Sequence, residues 1–130
     1  MARFVHAMIY VDDMAASIDF YTRTLGLRLL QAPRQASTGD VELAFVGSDW
    51  NASVELMRQV NDHPPYETGS RYGHLALEID GDVREAVDEL RVKGVKVVRE
   101  PWFGASGRWL AYIADPNGVT VELMERRVHA

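Results

Sequence analysis

From Arg3 to Val11 the chain alternates, with Val5, Ala7, Ile9 and Val11 on one parity and Phe4, His6, Met8 and Tyr10 on the other. A period of two predicts a half-buried strand. The period then lengthens: Met14, Ile18, Tyr21 and Leu25 recur at helical spacing, which predicts a helix capped by Asp12 or Asp13 and stopped by Gly26. Three β-like segments follow, at roughly 27–33, 40–47 and 52–59. The cycle then restarts with alternation over 73–79, and Val83, Val87 and Leu90 fall at helical spacing between Asp80 or Asp82 and Gly94. Strands are predicted at 95–100, 108–114 and 119–125. Asp115-Pro116-Asn117-Gly118 puts Pro and Gly where a type I hairpin turn wants them.

The two cycles are copies. His6-Ala7-Met8-Ile9-Tyr10-Val11-Asp12 lies over His74-Leu75-Ala76-Leu77-Glu78-Ile79-Asp80 at an offset of 68, and Gly26-Leu27-Arg28-Leu29-Leu30 lies over Gly94-Val95-Lys96-Val97-Val98 at the same offset. Val54-Glu55-Leu56-Met57 recurs unchanged as Val121-Glu122-Leu123-Met124, at an offset of 67. A repeat of this length is one supersecondary unit used twice. The expectation is an α+β fold of two tandem βαβββ modules, residues 1–60 and 72–127, within one domain spanning 1–130. Gln59 to Arg71, with Pro64-Pro65 and Gly69, reads as the linker between them.

Strand parity sorts the polar residues. With Val5, Ala7, Ile9 and Val11 packing on the helix, His6 points to the opposite face, and the parity of Val54 and Leu56 leaves Glu55 there too. In the second module Leu75, Leu77 and Ile79 pack and leave His74, while Val119, Val121 and Leu123 pack and leave Glu122. One His on a strand is ordinarily a hydrogen-bonded or exposed residue, and one Glu a solvated one. Two of each at equivalent points of a duplicated unit form an N/O ligand set suited to nickel, zinc, cobalt, iron or manganese. His63 and His129 lack that symmetry and are read as solvated.

Composition narrows the surroundings. The 130 residues include no cysteine, so disulfides and thiolate metal sites are excluded and a reducing cytoplasm is the expected compartment. A net charge of −5 without a basic cluster disfavours nucleic acid. No apolar run approaches the length of a membrane span, and no targeting segment is expected at the N-terminus.

Several segments together resemble the vicinal oxygen chelate superfamily, and within it glyoxalase I (lactoylglutathione lyase). They are His6-Ala7-Met8, Val11-Asp12-Asp13, Ser17-Ile18-Asp19-Phe20-Tyr21, Leu25-Gly26-Leu27, Ala44-Phe45-Val46-Gly47, Val54-Glu55-Leu56, Tyr72-Gly73-His74-Leu75-Ala76-Leu77, and Asp115-Pro116-Asn117-Gly118 leading to Glu122. Phe20-Tyr21 and Asp-Pro-Asn-Gly are shared across the superfamily. The order His, Glu, His, Glu is more selective, since methylmalonyl-CoA epimerases typically carry Gln at the position of Glu55. The resemblance implies that His6, Glu55, His74 and Glu122 hold one divalent metal per site, nickel or zinc before cobalt, manganese or iron. It implies a small-molecule substrate, the hemithioacetal of methylglyoxal and glutathione, with Glu122 as the base and Glu55 assisting. It also implies a homodimer whose sites are shared between chains. Two departures concern the thiol: Tyr10 stands where relatives generally carry Arg, and Gln59 where they carry Asn. Arg58, Arg71 and Arg108 are the candidate substitutes for gripping glutathione. The alternatives are an epimerase or extradiol-type dioxygenase on the same metal fold, or a metal-free binding protein.

Overall fold

The computed structural model describes residues 1–126, so His129 and the last residue of the expected second module lie outside the described residues. The chain divides into two compact units, Met1–Glu67 and Thr68–Ala130.

The first unit runs β1 (His6–Tyr10), α1 (Met14–Asp19) continuing into a π-helical turn (Phe20–Thr24), β2 (Arg28–Gln35), β3 (Val41–Asp49) and β4 (Ala52–Gln59). Its sheet has the order β1-β4-β3-β2, with β1 parallel to β4 and the other pairs antiparallel. Asp13, not Asp12, caps α1, its carboxylate accepting from Ala16 N–H at 3.0 Å. The single predicted helix changes pitch, Leu25 N–H bonding back five residues to Phe20 at 3.0 Å. Phe20 and Tyr21 are both buried there, with rings edge-on at 5.2 Å. A regular 3.6-residue period would not line up two adjacent aromatics, and a wider turn is one way to absorb the mismatch. Gly26, at φ 83°, ends the element as predicted. Val11, Tyr21, Ala44, Val46 and Leu56 are fully buried, as the apolar parity requires. Val5 is 58% exposed, so the packed face of the first strand begins at Ala7.

The second unit runs β5 (Leu75–Ile79), α2 (Val83–Val92), β6 (Val97–Phe103), β7 (Trp109–Ala114) and β8 (Thr120–Glu125), in the order β5-β8-β7-β6. Asp82 caps α2 through Arg84 N–H at 2.7 Å. Val83, Val87 and Leu90 bury its inner stripe while Ala111, Ile113, Val121 and Leu123 bury the facing side of the sheet. In the β7–β8 turn the Asp115 carboxylate accepts from the N–H groups of Asn117 and Val119, both at 2.8 Å. Glu122 thereby enters its strand in a fixed register, paired with Tyr112 on β7 and Ala76 on β5.

One close approach sets the register at the corresponding place in the first unit. Gly47 pairs with Ser53, and a Cβ at Gly47 would stand 2.7 Å from Ser53 Cα and closer still to the Ala52 carbonyl. Both obstacles are backbone, so Gly47→Ala must push β3 and β4 apart two residues before Glu55. We expect a loss of about 1–3 kcal/mol, the usual range for overpacking, read as a lower urea midpoint; an unchanged midpoint would show that the strands yield freely.

Candidate active site

His6 lies on β1 opposite Ser53 of β4, so Glu55, two residues further along, shares its face of the sheet. The imidazole Nε2 comes within 3.8 Å of Glu55 Oε2. In the second unit His74, immediately before β5, brings Nε2 to 3.6 Å from Glu122 Oε2. Glu122 is buried and Glu55 half-buried. Each unit has thus assembled one His–Glu pair, as strand parity required. The separations are too long for a hydrogen bond, yet near the roughly 3–3.4 Å expected between two donor atoms each about 2 Å from one ion. The nitrogen and oxygen donors therefore fit a divalent metal in both units. Among the described residues no group of three or more His, Asp or Glu stands ready to hold an ion, so neither unit completes a centre by itself.

Each pair has an aromatic neighbour that the pattern of charged residues does not reveal. Phe45, opposite Glu55 on β3, meets the His6 ring edge-on at 5.1 Å. Tyr112, opposite Glu122 on β7, lies 5.3 Å from the His74 ring, and Trp102 packs edge-on behind it at 5.1 Å. The signal was present: Ala44-Phe45-Val46 repeats as Ala111-Tyr112-Ile113 at the 67-residue offset of the glutamates, with the ring on their parity. These rings limit the swing of each imidazole.

The proposed thiol contacts are divided between the two units. Tyr10 shares the face of His6 and stacks on Tyr66 at 4.9 Å, while Gln59 offers its backbone N–H to the Tyr66 hydroxyl at 2.9 Å. Arg58 has the opposite parity from Glu55 and pairs with Glu42 across β3 and β4 at 3.6 Å, on the helix side of the sheet. Arg71 is exposed ahead of β5. Arg108 is mostly buried, donating to the Glu125 carbonyl at 3.0 Å and reaching Glu78 at 3.5 Å. His63, read as solvated linker, is instead half-buried, stacking on Tyr66 at 4.4 Å with Nδ1 at 2.6 Å from the Pro64 carbonyl. The start of the presumed linker is therefore part of the first unit, because aromatic faces gain by leaving water. Two residues before His74 in the chain, burial and the Asp115 carboxylate push the Tyr72 phenol up to about 12.

Residues 3–123 match the family described as the glyoxalase/bleomycin resistance protein/dioxygenase superfamily. The chain belongs to this superfamily. Within it, the chain is 37% identical over 125 residues to a probable lactoylglutathione lyase of Synechocystis, covering 93% of each. It is 36% identical to the lactoylglutathione lyase of Escherichia coli O157:H7 over 96% of this chain and 93% of that protein. Relatives of that name along almost the whole length place it with the lactoylglutathione lyase enzymes of the superfamily. The crystal structure of glyoxalase I from Zea mays superposes with a TM-score of 0.83 at 30% identity, over 97% of this chain and 45% of that one. The chain thus spans less than half of the maize protein. The superfamily fold accounts for the paired βαβββ units. Among the described residues no helix is long and apolar enough to cross a membrane.

Proposed function

We propose that the protein is a metal-dependent lyase of the glyoxalase I type, converting the hemithioacetal of methylglyoxal and glutathione or another thiol into the S-lactoyl thioester. His6, Glu55, His74 and Glu122 would hold the ion, nickel or zinc. The duplicated pair carries the reading, with Nε2 3.8 Å from Oε2 in one unit and 3.6 Å in the other. Duplication alone would copy any residue, but the two copies differ at neighbouring points such as Met8 against Ala76 and Tyr10 against Glu78, while the His–Glu pair and an aromatic ring beside each imidazole are kept. When bound, a divalent ion would supply Lewis acidity toward the two neighbouring oxygens of an α-hydroxy carbonyl compound.

The remaining chemistry falls to the side chains. The Glu122 carboxylate removes the C–H proton from the carbon bearing sulfur and hydroxyl, then delivers it to the neighbouring carbonyl carbon. The hydroxyl proton passes to the former carbonyl oxygen, and the carbon–sulfur bond stays intact, so the thioester is an isomer of the starting adduct. Glu55 assists on the opposite face. Burial of Glu122 keeps competing water from its carboxylate, and Phe45 and Tyr112 hold the imidazoles in orientation.

The deciding experiment reconstitutes the protein with nickel or zinc and offers preformed methylglyoxal hemithioacetals of several thiols. Thioester formation that depends on metal, without oxygen uptake, is the expected result. Oxygen consumption would indicate an oxygenase. No turnover with any thiol, in a protein that takes up no stoichiometric metal, would favour a binding protein.

A further inference from the structure

Behind each ring that touches a site histidine stands a tryptophan. In the second unit the contacts run from His74 to Tyr112 at 5.3 Å and on to Trp102, edge-on at 5.1 Å. In the first they run from His6 to Phe45 at 5.1 Å and on to Trp50, tilted by 60° at 5.4 Å. Each set of three rings lies within one unit. Phe45 and Tyr112 are only half-buried, so each could swing on its own side-chain torsions, and the indole behind it removes that freedom. A metal ligand gains from such support, because an imidazole already aimed at the ion loses less freedom when the ion binds.

The two indoles are not copies of one another. The duplication that repeats Phe45 as Tyr112 puts Arg34 at the position equivalent to Trp102, and Asn117 at the position equivalent to Trp50. They reach the rings by different routes. Arg99 and Trp102 are three residues apart and would point to opposite faces of a regular strand, yet they oppose Tyr112 and Leu110, which are two apart. That slip in the ladder turns both toward the face of Tyr112. Pro101 sits in it, tolerated because β6 is an edge strand. The Arg99 guanidinium then lies over the Trp102 ring at 3.7 Å and holds it by cation–π attraction. Trp50 comes instead from the turn between β3 and β4. Asn51 N–H donates there to the Asp49 carboxylate at 2.8 Å, and the Ser53 hydroxyl donates to the Trp50 carbonyl at 2.9 Å. Descent from one module accounts for a His–Glu pair and its ring occurring twice, but not for an indole behind both.

We propose that Trp102 and Trp50 are positioning residues for the two histidines, each bracing the intervening ring so that Nε2 faces its glutamate before an ion arrives. The inference rests on the metal-holding role proposed for the His–Glu pairs. Trp102, half-buried and clamped by Arg99, is the stiffer brace; Trp50 is 52% exposed. The test measures zinc affinity of the full chain by competition with a chromogenic chelator, below the thermal midpoint of every variant, and records histidine ring NMR signals before zinc is added. Trp102→Leu should weaken zinc binding about tenfold and Trp50→Leu about threefold, the upper and lower ends of what one aromatic pair contributes. Trp102→Phe and Trp50→Phe should recover most of the loss. Without zinc, Trp102→Leu should shift and broaden the His74 signals more than those of His6, and Trp50→Leu should do the reverse. Should Trp102→Leu fail to fold, Trp50→Leu, exposed in its turn, carries the same test. A merely structural role predicts lower thermal midpoints with zinc affinity unchanged in both leucine variants, or both histidines disturbed alike by either one. Either result overturns the bracing role and leaves the metal reading standing. An unchanged protein that takes up no zinc overturns the metal reading and this inference with it.

Discussion

Glu122→Gln is expected to lower kcat by at least about a hundredfold, the usual scale for removing a general base, while metal content stays close to that of the unchanged protein. The amide has the shape of the carboxylate and retains an oxygen donor, but it cannot accept the proton. Glu122 is 9% exposed between buried Val121 and Leu123, so an isosteric change there leaves the packing of β8 intact. Metal analysis alongside steady-state kinetics separates the two roles. A fall in kcat with metal retained assigns proton transfer; a parallel fall in both would mean that Glu122 acts only as a ligand. Normal turnover would remove Glu122 as the base. Glu55→Gln provides the contrast, because a residue that only assists should cost less than Glu122 in the same assay.

The strand parity that located both carboxylates was readable before any coordinates because β-strands alternate strictly and the duplication supplied two independent readings. The 67-residue recurrence of Val-Glu-Leu-Met fixed Glu55 and Glu122 to the same face, and the structure puts each beside its own histidine. The aromatic partners Phe45 and Tyr112 obey the same rule, but a ring on a ligand face has no charge to set it apart from core residues. The segment from Val60 to Glu67 is opaque in the sequence for a different reason. Its two prolines resemble a spacer, and nothing local announces that Tyr66 and His63 will stack on Tyr10, more than fifty residues earlier. Contacts at that separation depend on tertiary packing rather than on period or turn chemistry. The pitch change at Phe20 was hidden likewise, because Met14, Ile18, Tyr21 and Leu25 satisfy a regular helix without it.

Equimolar mixing of His6→Ala and His74→Ala chains is expected to recover activity that neither has alone. The expectation follows from ligand counting. Each unit contributes one His and one Glu, and a catalytic divalent ion takes at least three protein ligands, so two units must share an ion. A single four-stranded sheet is also too narrow to enclose a substrate. We propose a homodimer in which the first unit of one protomer serves the second unit of its partner, closed two-fold symmetry being the commonest arrangement of soluble oligomers. In a mixed dimer one site then lacks both histidines, while the other has the intact His6–Glu55 pair from one protomer and the intact His74–Glu122 pair from the other. Random exchange makes half of the dimers mixed, so about a quarter of the unchanged activity should return, with two equivalent sites per closed dimer as the premise. Native mass spectrometry of differently tagged chains verifies the exchange. If each site were built within one protomer, every site in the mixture would still lack a histidine. Continued inactivity among demonstrably mixed dimers would therefore refute sharing, and a protein that stays monomeric at assay concentration would refute the dimer itself.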